Sequence, residues 1–386
     1  MLLAETETRT DSFEDFDLAP SVLRAIQEMG YTQPTPIQRF IIPLMIDGRD
    51  VVGQSQTGTG KTAAFGIPIA SSLDPDLRDV QAIVLVPTRE LCLQVAGELT
   101  KLGRHRGIRV AAVYGGQPIR GQIEQLGRGV QCVVGTPGRV LDHLSRGTLD
   151  LSALHIAVLD ECDEMLDMGF IDDIDTILRH APKGRQGALF SATLPPFVLE
   201  LIHRYLVDPE FVRVMPEKLT VDEIEQMYCE VLEDDKPRAL RRLIRMQPDL
   251  SKLLVFRRTQ RGVDWLVRRL RDQGVKAEGI HGSMSQSQRE RTMADFRAGK
   301  LQVLVATNVA ARGLDISHVS HVLNYDVPQN PEEYVHRIGR TGRAGNRGTA
   351  VTFVAEWDSE LFEPIRRRFN GHLRELDLKL YGGDQN

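Results

Sequence analysis

One short segment restricts the fold of this chain more than any other, and it lies between an apolar run and a helix-like stretch. It reads Ser55-Gln56-Thr57-Gly58-Thr59-Gly60-Lys61-Thr62. Its glycines let backbone N–H groups turn toward a phosphate at the start of a helix. Lys61 can then reach the β- and γ-phosphates, and the Thr62 hydroxyl can ligate Mg²⁺. The segment therefore predicts a strand, a phosphate-binding turn and a helix, as in open α/β sheets.

A second motif follows about a hundred residues later, where the apolar run at 155–159 ends in Asp160-Glu161-Cys162-Asp163. An isolated Asp-Glu pair would be read as a helix start favoured by the helix dipole. After a buried strand and downstream of a phosphate loop, it instead predicts a nucleoside triphosphatase. Asp160 is expected to bind Mg²⁺ and Glu161 to orient or deprotonate water. Asp163 could anchor Ser191 or Thr193, and Cys162 is expected to be a small packed residue.

Composition narrows the class of protein without identifying it. The chain has 386 residues, of which 41% are hydrophobic and 26% charged, so we expect a globular protein of two domains. No apolar run approaches the ~18 residues of a membrane span. The acidic N-terminus does not resemble a signal peptide, and the four scattered cysteines fit reduced thiols, so a cytoplasmic protein is expected. The net charge is −5, although residues 223–368 carry about +5.

Both halves of the chain alternate short apolar runs with helix-like stretches, which predicts two α/β domains, each with a mostly parallel sheet. We place domain 1 at 12–207, a linker at 208–222, domain 2 at 223–371, and loose tails at 1–11 and 372–386. The predicted strands are 50–53, 82–86, 110–114, 132–135, 156–159 and 188–190, then 252–256, 277–281, 302–306, 321–325 and 350–354. Polar or Gly-rich segments follow most strands of the first half, where such sheets bind ligands. The second half has no phosphate loop of its own.

Two further segments can be assigned a function once the phosphate loop and the two domains are predicted. Residues 336–343 read His-Arg-Ile-Gly-Arg-Thr-Gly-Arg, a dense cationic turn that alone would be read as a basic surface loop. A domain without a phosphate loop can use such arginines to complete a site across a cleft. The turn at 30–38 ends in Gln38, whose amide can read an adenine edge. In isolation this turn would be read only as a Pro-rich helix start.

Together these motifs resemble the DEAD-box family of ATP-dependent RNA helicases, in superfamily 2, over about residues 12–370. The resemblance implies two tandem RecA-like domains that bind ATP and Mg²⁺ and act on RNA. It implies an RNA-stimulated ATPase that closes its domains on RNA and separates strands locally. Duplex and single-stranded RNA would be held through phosphates and 2′-hydroxyls with little sequence specificity. We expect a monomer without membrane association, whose RNA is selected by protein cofactors.

The resemblance also implies a role for particular residues. Adenine recognition would involve Phe13, Tyr31 and Gln38, with further nucleotide contacts from Arg312 and Asp315. The arginine fingers would be Arg340 and Arg343, and coupling between hydrolysis and unwinding would involve Asp163, Ser191, Thr193 and His336. RNA contacts in the first domain would come from Pro87, Thr88, Arg89, Gly115, Gly116, Thr136, Pro137 and Arg139. RNA contacts in the second domain would come from Arg257, Gly282, Gln286, Arg289 and Thr307.

Two letters depart from the family pattern. Cys162 replaces the usual alanine, and Asn308 replaces the usual aspartate after Thr307, as in the DECD subgroup. Neither change removes a catalytic group. Three other functions use similar residues: an ATP-gated RNA clamp with little unwinding, a related DNA helicase, and an ATPase without a nucleic-acid partner. The Gln38 turn and the segments at 87–94 and 136–139 favour RNA over DNA.

Overall fold

The computed structural model describes residues 2–3, 12–55, 59–214, 224–247, 249–311, 319–342 and 348–380. The chain divides into two compact units, Met1–Pro216 and Glu217–Asn386. Each unit is built on one parallel sheet flanked by helices, which confirms the predicted fold class. Among the described residues, no helix is both long and apolar enough to cross a bilayer.

The strands of the first unit are β1 (Leu2–Leu3), β2 (Val51–Gln54), β3 (Ala82–Leu85), β4 (Val110–Val113), β5 (Cys132–Gly135), β6 (Ile156–Leu159), β7 (Gln186–Ser191) and β8 (Glu210–Arg213). They form one sheet in the order β1-β8-β2-β7-β6-β3-β5-β4, and every neighbouring pair is parallel. Its helices are α1 (Pro20–Glu28), α2 (Pro36–Ile46), α3 (Lys61–Ser72), α4 (Arg89–Gly103), α5 (Arg120–Gly127), α6 (Pro137–Ser145), α7 (Cys162–Asp167), α8 (Ile171–His180) and α9 (Pro196–Tyr205), with 3₁₀ turns at Phe13–Asp15 and Arg104–Arg106.

Both faces of this sheet are buried because successive strand residues enter different hydrophobic clusters. In β3, Val84 packs with residues of α2, α3 and α4, whereas Ile83 and Leu85 pack with residues of α6 to α9. Burial of each such side chain contributes roughly 1.5–3 kcal/mol to the free energy of folding. Runs rich in valine, isoleucine and leucine are therefore strands here, as expected for a parallel sheet covered on both sides.

The strands of the second unit are β9 (Ile224–Glu230), β10 (Leu253–Arg257), β11 (Ala277–Ile280), β12 (Val303–Thr307), β13 (His321–Asn324), β14 (Gly348–Val354) and β15 (Leu373–Glu375). They form a parallel sheet in the order β11-β12-β10-β13-β14-β9-β15. Its helices are α10 (Lys236–Met246), α11 (Gln260–Asp272), α12 (Gln286–Arg297), α13 (Asn308–Ala311), α14 (Pro331–Ile338) and α15 (Ser359–Arg368), with a 3₁₀ turn at Glu233–Asp235. Helices α10 and α11 share one hydrophobic cluster, and α12 and α13 share another on the opposite face.

The structure differs from the predicted boundaries at three places, each because a short segment pairs with a distant strand. Within the predicted linker 208–222, Glu210–Arg213 forms β8, and its first amide donates to Asp50 O at 2.8 Å. Within the predicted N-terminal tail 1–11, Leu2–Leu3 pairs with β8. Within the predicted C-terminal tail 372–386, Leu373–Glu375 pairs with β9. The rest of the linker, at 215–222, lies outside the described residues.

All four cysteines are buried and none forms a disulfide. Burial raises the pKa of Cys92 and Cys132 to about 12 and that of Cys229 to about 11. The pKa of Cys162 is raised by burial as well, and by the neighbouring Asp163. Thiolate, the reactive form, is therefore disfavoured at every cysteine.

Candidate nucleotide and RNA sites

The phosphate-loop segment connects β2 to α3. Gly60 is the residue before α3 and adopts a left-handed conformation, with φ 91°. A Cβ at this position would lie 2.5 Å from Gln38 Nε2 and 2.9 Å from Thr35 Oγ1, so only glycine fits. The hydroxyls of Ser55 and Thr59 are 3.0 Å apart across the turn. Three residues predicted to contact phosphate lie outside the described residues: Gln56, Thr57 and Gly58.

Lys61 opens α3 and is buried, with its ammonium group held against the loop. Its Nζ donates to the carbonyl oxygen of Ser55 at 3.2 Å. The positive charge of Lys61 also lowers the pKa of the Asp160 carboxyl, in opposition to the effect of burial. The structure thus brings together the lysine and the acidic motif, about a hundred residues apart in sequence. Thr62 lies beside Lys61 in the first turn of the helix.

The acidic motif lies where β6 runs into α7. Asp160 is 2% exposed, and its Oδ1 accepts a hydrogen bond from the backbone nitrogen of Glu161 at 3.0 Å. Burial raises the pKa of Asp160 to about 6, and the charges of Glu161 and Asp163 act in the same direction. Glu161 has φ 51°, an uncommon conformation for a residue with a side chain. Cys162 is fully buried in the hydrophobic cluster beneath the sheet, as predicted.

These residues fit a magnesium ion. A buried carboxylate whose pKa is raised by desolvation gains stability when a cation lies beside it. Asp160 and the Thr62 hydroxyl are hard oxygen ligands of the kind that Mg²⁺ prefers, and the remaining ligands in such sites are water and phosphate oxygens. The assignment of Asp160 and Thr62 to the metal stays a prediction.

The coupling residues of the first unit form a connected hydrogen-bond network. Asp163 Oδ2 accepts from the backbone nitrogen of Thr193 at 2.9 Å and from its hydroxyl at 2.8 Å. Ser191 Oγ accepts from Asp163 N at 3.3 Å and donates to Thr193 O at 2.6 Å. The carbonyl oxygen of Ser191 accepts from Ser55 N at 3.2 Å. The end of β7 is therefore bonded to both the acidic motif and the phosphate loop.

The residues predicted to recognise adenine surround the start of α3, yet each already has a partner within the protein. Gln38 Oε1 accepts from Thr35 N at 2.9 Å, and Gln38 Nε2 donates to Gly60 O at 3.0 Å. Phe13 is buried edge-on against Phe16. Gln38 therefore supports the backbone of the phosphate loop in addition to any contact with a base, and its role in base recognition stays a prediction. The third residue, Tyr31, donates its hydroxyl to Glu98 at 3.0 Å.

The predicted RNA contacts of the first unit lie together at the carboxyl edge of its sheet. Pro87, Thr88 and Arg89 follow β3, Gly115 and Gly116 follow β4, and Thr136, Pro137 and Arg139 follow β5. The guanidinium of Arg89 stacks on the ring of Tyr114, with 4.5 Å from Cζ to the ring centroid. Thr88 caps α4 by accepting from Leu91 N at 3.3 Å. Neighbouring strands β3, β5 and β4 thus present one continuous row of predicted contacts.

Two residues that the sequence analysis did not identify connect this row. Gln122 Oε1 accepts from Arg139 Nη1 at 3.2 Å, and Gln122 Nε2 donates to Tyr114 O at 3.0 Å. His143 Nε2 lies 3.1 Å from the same Gln122 oxygen, and Arg139 Nη2 donates to Gln117 O at 3.0 Å. Gln122 and His143 are polar residues buried on α5 and α6, which is the sequence signal that could have identified them.

The second unit repeats the arrangement, again with polar residues after parallel strands. Arg257 ends β10, and its Nη1 bonds Asp326 Oδ1 at 3.0 Å. Arg289 Nη2 donates to Ala310 O at 3.3 Å, which ties α12 to α13. Thr307 ends β12 and is buried. Gly282 follows β11, and Gln286 opens α12, although the Gln286 side chain lies outside the described part of the structure.

The arginines of the cationic turn differ in their surroundings. Arg337 is 3% exposed, donates to Asp326 O at 2.8 Å, and packs on the Phe256 ring, so it holds the fold. Arg340 follows α14 on a turn that is fixed by Thr341, whose hydroxyl bonds Val319 O at 2.6 Å. His336 lies within α14. The other predicted nucleotide residues, Arg312, Asp315 and Arg343, lie outside the described residues. The finger role of Arg340 stays a prediction.

Comparisons with known proteins agree with this geometry. Residues 35–201 match the family model described as "DEAD/DEAH box helicase", and residues 235–345 match "Helicase conserved C-terminal domain". The chain is 49% identical to the DEAD-box ATP-dependent RNA helicase CshA of Bacillus subtilis, over 97% of this chain and 77% of that protein. It is 52% identical to CshA of Geobacillus kaustophilus, over 89% of this chain and 73% of that protein.

Solved structures lead to the same family. Saccharomyces cerevisiae Dbp5 bound to RNA and ADP BeF3 matches with a TM-score of 0.83 and 33% identity, over 95% of this chain and 96% of that one. A DEAD box protein from Methanococcus jannaschii matches with a TM-score of 0.54 and 41% identity, over 95% of this chain and 99% of that one. The matched residues include the phosphate loop, the acidic motif and the cationic turn. The chain therefore belongs to the DEAD-box family of ATP-dependent RNA helicases.

Proposed function

We propose that this RNA helicase hydrolyses ATP at the edge of the first sheet, with Lys61 on the β- and γ-phosphates and Glu161 orienting the attacking water. Asp160 and Thr62 would hold Mg²⁺, which when bound neutralises charge on the phosphates. The observation that carries this proposal is the buried carboxylate of Asp160, which interacts electrostatically with both Lys61 and Glu161. Water would be activated by Glu161, which lies at the end of the same strand.

We further propose that hydrolysis acts on RNA through closure of the two units. ATP and RNA would each make contacts that only the closed arrangement satisfies, so binding shifts the population toward it. Arg340 and Arg343 would then stabilise the transition state, and His336 would report the nucleotide state to the second unit. The Asp163–Thr193 contact supports the link between the acidic motif and the rest of the first unit.

The RNA would be held through its backbone by the residues at the carboxyl edges of both sheets. Such contacts favour strand bending and local melting without sequence selection. We propose that the protein acts as a cytoplasmic monomer and that partner proteins choose its RNA. Dbp5 of S. cerevisiae, solved in complex with Gle1, supports protein partners for a helicase of this family.

The variant Glu161→Gln tests this function. RNA-stimulated ATP hydrolysis should fall by at least about a hundredfold, because general-base catalysis contributes roughly 10²–10⁴-fold. ATP-dependent retention of RNA should persist, since the amide keeps the shape of the side chain. Glu164→Gln is the matched control, one turn into α7. Substantial ATPase activity in Glu161→Gln would remove the assigned role.

Strand displacement measured beside RNA affinity separates unwinding from clamping. An unwinding enzyme releases one strand of a short duplex for every few ATP molecules that it hydrolyses. A clamp retains RNA with ATP and displaces no strand. ATPase stimulation by DNA but not by RNA would point to a DNA helicase instead.

A further inference from the structure

The exposed face of α10 carries an arginine stripe, defined here as Arg238, Arg241, Arg242 and Arg245. Helix α10 contains five basic residues and no acidic one, in a chain whose net charge is −5. The four stripe residues are exposed and follow the i, i+3, i+4, i+7 spacing of one helix face. The opposite face, with Ala239, Leu240 and Leu243, is buried against the second sheet.

The four arginines of the stripe have no counter-charges beside them: within the described part of the structure, none of the four forms an ion pair. Exposed arginines on other helices commonly pair with an acid one turn away: Arg24 with Glu28, Arg146 with Asp142, and Arg367 with Glu363. Like charges at this spacing weaken an isolated helix, and an anion bound beside the stripe would relieve that repulsion.

An exposed aromatic side chain lies on α11, the helix that shares a hydrophobic cluster with α10. Trp265 of α11 is 44% exposed, and the guanidinium of Arg269 lies 5.9 Å from its ring centroid. Arg271, on the other flank of α11, bonds Ala277 O at 2.9 Å and faces β11 at the sheet edge. Arg269 lies on the opposite flank and acts electrostatically on Tyr325, whose ring also lies near the first residue of α10.

The start of α10 is linked to the predicted RNA track through one buried tyrosine, Tyr325. The ring of Tyr325 lies 4.4 Å from Cζ of Arg257, a predicted RNA contact. The same ring lies 5.7 Å from Nζ of Lys236, the first residue of α10. Burial raises the pKa of Tyr325, and the charges of Arg257 and Arg269 oppose that effect, which places both arginines near it. Arg257 and the first residue of α10 thus contact the same buried ring, which places the start of α10 near that predicted RNA contact.

We propose that the arginine stripe of α10, together with Trp265 and Arg269, is a second RNA-binding surface that holds RNA next to the segment in the motif track. Guanidinium groups would bind phosphates, and one base would stack on Trp265, without sequence readout. The proposal rests on the function proposed above. RNA fits better than an acidic protein segment, because a flat exposed indole among arginines is a stacking platform for bases.

The full chain with Arg238, Arg241, Arg242 and Arg245 all replaced by glutamine tests the surface. Glutamine keeps helix propensity, so the thermal midpoint should stay close to that of wild type. Affinity is measured against single-stranded RNAs of increasing length. Wild type should gain affinity beyond the length that fills the motif track, and the variant should lose that gain, about tenfold at moderate salt. The slope of log affinity against log salt should flatten by about 2 to 3, since each phosphate contact contributes roughly 0.7.

The same variant should alter the RNA dependence of ATP hydrolysis without altering its maximal rate. The RNA concentration for half-maximal ATPase stimulation should rise with long RNA, while the maximal rate should remain within about twofold. The matched control replaces four exposed arginines elsewhere in the second unit by glutamine: Arg366, Arg367, Arg368 and Arg374. An equal loss in the control would mean that net charge alone explains the effect, which would overturn the proposed surface.

The two tryptophans of the chain allow a direct readout. Trp265 and Trp357 are both exposed, and the sequence contains no other tryptophan. Long RNA should quench the fluorescence of Trp357→Phe, in which Trp265 remains. It should leave that of Trp265→Phe largely unchanged. Quenching confined to Trp265→Phe would overturn the proposal, as would displacement of RNA from the stripe by polyglutamate at equal charge concentration. Wild type without any RNA-stimulated ATPase would instead refute the proposed function.

Discussion

Asp163 and Thr193 are joined by two hydrogen bonds to a single carboxylate oxygen, one from the backbone nitrogen of Thr193 at 2.9 Å and one from its hydroxyl at 2.8 Å. Asp163 lies two residues after the predicted water-orienting acid, and Thr193 lies on the segment that leaves β7. In the proposed mechanism, a shift of the acidic motif during hydrolysis would be transmitted to that segment through these two bonds. The predicted coupling role of Asp163 and Thr193 would rest on this contact.

Thr193→Val should weaken this coupling while sparing catalysis. Valine keeps the shape of threonine and the backbone bond, but removes the hydroxyl donor. RNA-stimulated ATPase should stay within about threefold of wild type, and strand displacement should fall about tenfold. The measurement is unwinding per ATP hydrolysed. Thr176→Val, which removes the exposed hydroxyl bonded to Asp172 O, is the control. Equal losses of both activities would show that the hydroxyl serves catalysis itself.

Gln38→Ala should raise the KM for ATP about tenfold, because the loop loses a hydrogen bond worth roughly 1 kcal/mol and a packed side chain. ATP and GTP should be compared in the same assay. If Gln38 acts by holding Gly60, both nucleotides should be affected alike. A loss confined to ATP would instead support adenine recognition. Gln27→Ala, at an exposed position of α1, controls for a general effect of removing an amide.

Asp160→Asn should make the ligand-free protein more stable at pH 8, by up to about 3 kcal/mol. The folded pKa of Asp160 is raised by burial to about 6, above its usual value of 3.8, so the folded state favours the protonated form. That contribution is present at low pH and is lost as pH rises through about 6. The midpoint of thermal unfolding should fall as pH rises through about 6 in wild type and in the control Asp79→Asn. It should not show this fall in Asp160→Asn. The variant should also lose stabilisation by MgATP.

His143→Gln should reduce the dependence of stability on pH. Burial lowers the pKa of His143, with Arg139 and Arg146 acting in the same direction and Asp142 opposing. Neutral His143 therefore stabilises the folded state above about pH 6.5. This stability is lost as pH falls below that value, because unfolding then takes up at most one proton at His143. The midpoint of thermal unfolding, measured by calorimetry, should fall less steeply between pH 7.5 and pH 5 in the variant than in wild type. His180→Gln, on the exposed end of α8, should leave the wild-type slope in place.

The central strands were predictable because burial on both faces leaves a continuous apolar run. Strands β2 to β7 lie within a residue or two of their predicted positions. Strand β9 was missed because Ile224–Glu230 has neither a continuous apolar run nor a strict polar–apolar alternation, and its partner β14 lies more than a hundred residues away. Strand β8 was missed for a related reason, since Glu210–Arg213 has few apolar residues and follows a proline-containing turn.

The positions of the candidate site residues were predictable where those residues directly follow the end of a strand. Lys61, Asp160 and Arg139 lie at the carboxyl edge because every strand of that sheet is parallel. The supporting residues were not predictable, because Gln122 and His143 approach Arg139 only through the packing of α5 and α6. The hydrogen bond from Gln38 to Gly60 was equally hidden, since it depends on how closely α2 approaches the loop.

The buried thiols have a practical consequence for spectroscopy. Cys92, Cys132, Cys162 and Cys229 are all buried, and their raised pKa values disfavour reaction with maleimide dyes at neutral pH. A single cysteine placed on an exposed position of each unit would thus be the preferred target for a donor and an acceptor fluorophore. Distance changes between the two dyes could then be followed through an ATP cycle on otherwise native protein.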